Sequence, residues 1–360
     1  MNIWQRWHLD RPLFLALLLL SVVGMFVLYS ASGENSMLMV RHVVRLILGF
    51  VVLVSIAQVR PETLRRWSPH IFAFGLMLLV AVLAVGSVRL GARRWLNFGL
   101  FRFQPAEIMK LGMPMMLAWF FARGALPPRT RYVALGGLIS LVPILLIAKQ
   151  PDLGTAALIL GSVLTILFLA GMSWRSILMV LLLAGLATPL LWAHMHQYQK
   201  QRIRTLLDPS SDPLGAGYHT IQSMIAVGSG GFFGKGWLKS SQAHLNFLPE
   251  SSTDFIFAVF AEEFGFLGIL VLLGLYLFVL GRGLLIAFYA QDTYTRLLAG
   301  GLTLTFFMYF FVNIGMVSGI LPVVGVPLPL ISYGGTATVT LMAAFGMLMS
   351  IHTHRKIIAD

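Results

Sequence analysis

The chain of 360 residues contains no cysteine, which excludes disulfides and any thiolate metal site. Such a chain can expose its loops to either redox compartment. Charge is scarce as well. Asp, Glu, Lys and Arg make up 11% of the residues, against about 25% in soluble domains. Acidic residues are the scarcer sign, 13 against 26 basic ones, for a formal net charge of +13. With 58% of the residues hydrophobic, nucleic acid does not fit as the partner of that positive balance, whereas anionic lipid does. Strand-period alternation long enough for a membrane barrel is missing, and no internal repeat symmetry is evident.

What is abundant is apolar sequence, and it comes in runs. The first, Pro12 to Ala31, is uncharged and long enough to cross the hydrocarbon core at about 1.5 Å per residue. It exceeds the apolar part of a cleaved signal peptide and reads as a retained signal-anchor helix. Further runs lie at 38–57, 69–88, 105–122, 131–148, 153–171, 176–194, 255–281, 296–318 and 330–351. In lipid every backbone polar group must bond within its own segment, so each run is read as a helix. The expected fold is all-α: a polytopic integral membrane protein with about ten transmembrane helices. It forms a single domain over residues 1–360, with one long extracytoplasmic loop at 195–254.

Basic residues orient the spans. Arg6, Arg11, Arg60, Arg65, Arg66, Arg123, Arg129, Arg131, Arg175, Arg282, Arg355 and Lys356 all fall on one side, read as cytoplasmic together with both termini. On the other side, Lys200, Arg202, Arg204, Lys235 and Lys239 sit in the long loop, which translocates regardless of charge. Arg89, Arg93, Arg94 and Arg102, running into Lys110, break the pattern in a short loop. A bound anion is the natural reason. The long loop carries turn signals at Asp208-Pro209, Asp212-Pro213, Gly215, Gly217 and Gly228–Gly231. Its apolar stretch Ile221–Val227 reads as a short re-entrant helix. Gly228–Gly236 lacks the Gly-Lys-Ser/Thr ending of a phosphate loop.

Several polar groups are candidates for chemistry. Asp254 stands where the long loop enters the eighth span. It is either a helix N-cap or a general base at the lipid–water boundary. Glu262 and Glu263 lie deeper in the same span, as a structural polar cluster or as a proton relay or metal ligand. Glu107 and Lys110 open the fourth span three residues apart, so they share a face, either as a local ion pair or as holders of an anionic substrate. Lys149 and Asp152 frame the start of the sixth span and read as an interfacial charge pair. His194, His196, His219 and His244 show no metal-ligand spacing on one element.

The most specific pattern comes last: Asn313, then Gly319-Ile320-Leu321-Pro322, Gly325-Val326, Pro327-Leu328-Pro329-Leu330 and Ile331-Ser332-Tyr333-Gly334-Gly335-Thr336. This string resembles the signature of the SEDS family (shape, elongation, division and sporulation). The resemblance runs over nearly the whole chain. It includes Leu28–Ser32, Arg94-Trp95-Leu96 with Phe103-Gln104-Pro105 and Glu107, Phe247–Glu250, Thr253–Ala258 and Glu262–Gly265. Leu207-Asp208-Pro209, Asp212–Gly215, Gly217-Tyr218-His219 and Gln222-Ser223 are similar to the elongation branch rather than the division branch. Ala106 stands where the family usually has Ser, and Ser252 where His is common; neither replaces a charged group.

The resemblance implies a peptidoglycan glycosyltransferase of the bacterial cytoplasmic (inner) membrane, polymerising lipid II into glycan strands on the periplasmic side. It implies a class B penicillin-binding protein (transpeptidase) as partner through its transmembrane helix, and other membrane proteins of the elongation machinery. Asp254 matches the family's catalytic aspartate, and Glu107 and Lys110 its conserved polar pair. Asp254 would take the proton of the attacking sugar hydroxyl, in one in-line displacement with inversion. The departing lipid pyrophosphate wants positive charge, from Arg94, Arg102 and Lys110 or from a divalent cation such as magnesium or manganese, with no organic cofactor. Lys149, Asp152, Glu262, Glu263, Ser332 and Tyr333 complete the expected substrate-binding set. A lipid II flippase and a non-catalytic scaffold for the penicillin-binding protein are the alternatives.

Overall fold

A computed structural model describes residues 3–89, 92–97, 102–195, 197–209, 217–245, 247–248 and 250–355. Asp212, Pro213 and Gly215, and the side chains of Arg89, Arg93 and Arg102, lie outside the described residues. After the short α1 (Ile3–Arg6), each apolar run becomes a helix. These are α2 (Arg11–Ala31), α3 (Ser36–Ala57), α4 (Pro61–Val85), α5 (Ala106–Phe121), α6 (Thr130–Lys149), α7 (Leu153–Leu169) and α8 (Trp174–His194), followed, after the long loop, by the last three spans. The loop contributes α9 (Gln197–Leu207), α10 (Tyr218–Ser229) and α11 (Ser241–His244), and the chain closes with α12 (Ile256–Phe288), α13 (Thr293–Val317) and α14 (Thr336–Thr353). Among the described residues seven of these are long and apolar enough to cross a bilayer, and α7 is a shorter apolar helix. The protein is a multi-pass membrane protein.

Which faces meet lipid follows from exposure. On α3, Val40, Val44, Ile47, Leu48 and Val51 are exposed apolar residues at helical spacing, a stripe for acyl chains. α13 is the opposite case, with two-thirds of its apolar window buried, and it packs against α5, α7, α12 and α14. Lipid is as apolar as the side chains, so shape complementarity and polar bonds hold such a bundle together. On the side of the termini, Asp10 caps α2 through Leu13 N at 3.0 Å and also accepts from Arg282 Nε and Nη2 of α12 at 3.1 and 2.6 Å. His352 of α14 lies 3.1 Å from the same carboxylate.

Two segments depart from the expectation. The short basic loop after the third span is a three-stranded antiparallel sheet, β1 (Ser87–Arg89), β2 (Ala92–Asn97) and β3 (Arg102–Phe103), with Leu96 opposite Phe103. Strands this short carry too little alternation to be read from sequence. The long loop holds three helices among its described residues. Its α10 covers the Ile221–Val227 stretch and packs against α12 and α13.

α12 is interrupted. Gly265 has φ 64° and ψ −163°, and the loop after α10 fills the break. Lys235 N and Gly236 N donate to the carbonyls of Glu262 and Glu263 at 3.0 Å each, while Phe266 N and Leu267 N donate to Gly231 O and Phe232 O at 2.9 and 3.1 Å. The loop is pinned by the wholly buried Glu262 carboxylate. It accepts from Lys235 Nζ (2.6 Å), Ser240 Oγ (2.6 Å), Ser241 Oγ (2.7 Å) and the backbone N of Ser241 and Gln242 (3.2 and 3.3 Å). Ser30 of α2 donates its hydroxyl to Glu263. Of the readings open for this pair, the geometry fits the structural polar cluster.

A Cβ at residue 265 would stand 2.3 Å from Gly234 N, and its positive φ disfavours any side chain. Gly265→Ala is therefore expected to lower the thermal unfolding midpoint in detergent, at a backbone cost of at least about 1–3 kcal/mol. Gly274→Ala on the same helix, where a Cβ meets nothing within 4 Å, should leave the midpoint unchanged or slightly raised. Equal effects of the two would remove the loop-filled break as a constraint.

Candidate active site

Asp254 lies in the turn that leads into α12. The N-cap of that helix is Phe255, with φ −105° and no side-chain cap bond, so the capping reading of Asp254 does not hold. Its carboxylate is left uncommitted to the helix end and half-buried. Burial pushes its pKa up to about 6, the negative charge of Glu250 adds to that rise, and the positive charge of Arg202 opposes it.

The segment around Asp254 is held from one side by the Gly/Pro string between α13 and α14. Asn313, wholly buried in α13, donates through Nδ2 to Asp254 O at 2.8 Å and to Val326 O at 2.7 Å. Ser332 Oγ donates to Thr253 O at 2.6 Å and accepts from Leu328 N at 2.7 Å. Tyr333 N donates to Ser252 O at 2.9 Å, and its ring lies under the Arg45 guanidinium, 4.4 Å from centroid to Cζ. Gly325 has φ +74°, and a Cβ there would sit 3.2 Å from Asp254 Oδ2. The string is thus a cradle for a carboxylate. Of the two expected substrate groups, Ser332 spends its hydroxyl on backbone, and Tyr333 joins the cradle through its backbone amide.

The other expected residues fall into two groups. Lys110 Nζ is 2.6 Å from Glu107 Oε1, with both side chains buried, and stands 5.0 Å over the Tyr309 ring. With Tyr309 and Ser332 it lines a cavity of about 40 Å³ between α5, α13 and α14, room for a few waters and not for a sugar. Asp152 does not pair with Lys149, which is exposed. It caps α7 through Thr155 N, accepts from Gln104 Nε2 at 2.8 Å, and lies 3.6 Å from Arg94 Nη1. Arg94 also bonds the Pro151 carbonyl. The small sheet carries Arg94 to the start of α7. Among the described residues no three His, Asp or Glu groups gather as a metal cage would need. Sequence reasoning missed the work of Asn313, Tyr309 and Gly325. A buried Asn within an apolar span is itself a signal, because an amide in lipid needs partners.

Fold and site together define a polytopic helical membrane protein with an uncommitted carboxylate cradled at the mouth of its long loop. The FtsW/RodA/SpoVE family model, described as cell cycle protein, matches residues 10–357. The Escherichia coli K12 protein named peptidoglycan glycosyltransferase MrdB is 52% identical over 357 residues, covering 99% of this chain and 96% of that protein. The Treponema pallidum protein named peptidoglycan glycosyltransferase RodA is 33% identical, covering 96% of this chain and 98% of its own length. A solved structure of a peptidoglycan synthase complex, reported for its coordination of polymerization and crosslinking, matches with a TM-score of 0.85 at 31% identity, covering 96% of this chain and 99% of the matched one. Crystalline Thermus thermophilus RodA matches with a TM-score of 0.74 at 29% identity, covering 96% and 98%. The chain belongs to the FtsW/RodA/SpoVE family of cell cycle proteins.

The buried Glu107–Lys110 pair generates a stability test. Removing one charge strands the other, at a cost of about 3–5 kcal/mol, whereas replacing both with neutral groups of similar volume is often harmless. Glu107→Gln and Lys110→Met should each lower the unfolding midpoint more than the double variant does. A double variant at or below the sum of the singles would mean that the two charges do not support each other.

Proposed function

We propose that this protein is a peptidoglycan glycosyltransferase that polymerises lipid II at the extracytoplasmic face of the membrane, with Asp254 as its general base. The half-buried, uncommitted carboxylate of Asp254 carries the reading. A hydroxyl of one saccharide attacks the anomeric carbon of another while its bond to lipid pyrophosphate breaks. Asp254 accepts the proton, and the pyrophosphate leaves with the electron pair. Inversion at that carbon needs no covalent intermediate.

Positive charge for the departing pyrophosphate comes from Arg94, whose side chain keeps a third of its surface while paired with Asp152, together with Arg102. Lys110 has its charge matched by Glu107 and serves the shape of the cradle instead. A magnesium or manganese ion would be held by substrate phosphates with one or two carboxylates, and Glu250 beside Asp254 fits that donor set. It would supply charge to the leaving group.

The synthase complex among the structural relatives supports a class B penicillin-binding protein as partner, its transmembrane helix packed on the exposed apolar face of α12 and α13 that includes Phe266, Leu270, Val271 and Phe311. The arginine-rich loops support cytoplasmic termini and a periplasmic site.

Purified protein with lipid II in detergent tests the activity, because detergent abolishes sidedness and a flippase would yield no glycan. Asp254→Asn should cut polymerisation by at least about a hundred-fold with normal membrane expression. Near-normal product from that variant would sink the base assignment. The wild-type rate constant kcat/KM should fall as pH drops through about 6, because protonation removes the base, and stay level above it. A profile flat down to pH 4.5 would show that no such group controls the rate.

A further inference from the structure

The ion pair between Asp10 and Arg282 marks a level from which depth in the membrane can be measured. Asp10 caps the start of α2, Arg282 comes from α12, and such a charged pair belongs at the edge of the hydrocarbon core. The core is about 30 Å thick, and a helix rises about 1.5 Å per residue. Phe26 follows Asp10 by sixteen residues along α2, and Phe266 precedes Arg282 by sixteen along α12. Both rings therefore stand about 24 Å from the charged level, still inside the core on the Asp254 side. Ser30, which donates to Glu263, stands at about 30 Å, the far edge.

The segment that fills the α12 break lies at this depth. Gly231 O and Phe232 O accept from Phe266 N and Leu267 N, so its backbone is level with the first residues past the break. At its other end Trp237 Nε1 donates to Phe26 O at 3.0 Å, which ties it to α2 at the same level. Residues 230–237 thus return to membrane depth, although the sequence assigns them to the extracytoplasmic loop. Their side chains divide accordingly. Lys235 turns inward and pairs with the wholly buried Glu262 carboxylate. Phe232 and Phe233 turn outward and are 56% and 77% exposed. The Phe232 ring lies 5.9 Å from Phe266 and the Trp237 ring 5.7 Å from Phe26, all of them exposed. An aromatic band runs from α2 across the loop to α12.

We propose that residues 230–237 are a membrane-embedded segment whose Phe232 and Phe233 side chains insert among the acyl chains of the leaflet on the Asp254 side. Depth identifies the occupant. At about 24 Å from the charged level an exposed apolar ring meets hydrocarbon rather than water. Exposed aromatic rings also concentrate toward the membrane–water boundary, where this band lies. Non-helical backbone at that depth is tolerated only against protein, and the break in α12 supplies the protein. The segment is thereby held from two sides, by backbone bonds to α12 and by lipid around its two rings.

The chain has no cysteine, so one introduced cysteine carries one nitroxide label. Full-length Phe233→Cys and Phe232→Cys are labelled and reconstituted without other proteins in bilayers of phosphatidylethanolamine and phosphatidylglycerol. Both rings are exposed, so neither substitution touches the packing of the break. Power saturation of the EPR signal is measured with oxygen, which concentrates in hydrocarbon, and with a nickel chelate, which stays in water. Ile47→Cys, on the lipid-facing stripe of α3, and Asp208→Cys, exposed just past α9, are the references. Labels at 232 and 233 should respond to oxygen as the label at 47 does, and should lose the nickel response that the label at 208 shows. A nickel response equal to that at 208 puts the segment in water and overturns the proposal. Low response to both reagents also overturns it, because the two rings are then covered by protein, such as a second copy of the chain, and not by lipid.

Discussion

At Gly265 the eighth span stops being a helix, and the backbone groups on either side lose their intrahelical partners. In lipid an unbonded amide or carbonyl costs several kcal/mol, so a chain that breaks a span must bring replacement partners to the break. Here the segment after α10 brings them, two carbonyls and two amides in place. Much of the long loop between α8 and α12 is arranged around that requirement. Glu262 has no free valence for other work because its acceptors hold the filling segment where the break needs it. The same demand is met a second time at the Gly/Pro string, where Asn313 serves two carbonyls that belong to no helix.

The uncommitted position of the Asp254 carboxylate is a by-product of these arrangements. Asp254 is the last residue before helical geometry begins at the cap, and its main chain is tied down by Asn313 while its neighbours Ser252 and Thr253 are tied by Tyr333 and Ser332. A side chain whose backbone is fixed and whose oxygens are spared from capping can hold one orientation without giving up its basicity. Preorganisation of that kind is what a general base needs. The arrangement also explains why so many polar side chains of the signature donate to backbone. They build the mount, and the carboxylate is what is mounted.

The spans were legible because lipid imposes a single local rule: a long apolar run must be a helix. Local patterns also marked the Asp254 turn and the Gly/Pro string as unusual. Pairing between distant segments was not legible. Asp152 looks equally ready to bond Lys149 three residues away or Arg94 across the sheet, and only the strand pairing of Leu96 with Phe103 decides for Arg94. The helical character of 197–207 was hidden by its polar composition. Asn313 was visible as part of a string, yet its task depends on carbonyls on two segments that sequence spacing does not bring together.

The clamp at the termini side bears on how the protein is made. Asp10 meets Arg282, a residue 272 positions further along. At a synthesis rate of about 5–20 residues per second, the first span waits roughly a quarter of a minute to a minute before its counter-charge emerges. Through that interval the carboxylate has its own helix N-terminus, through Leu13 N, as company. His352 arrives later still, from the last span. The opening helix thus shares one carboxylate with α12 and with the closing helix, and its ion pair with Arg282 forms only after the spans from α2 to α12 have been made. A ribosome that stops short leaves the clamp open and a carboxylate without its cation at the membrane surface.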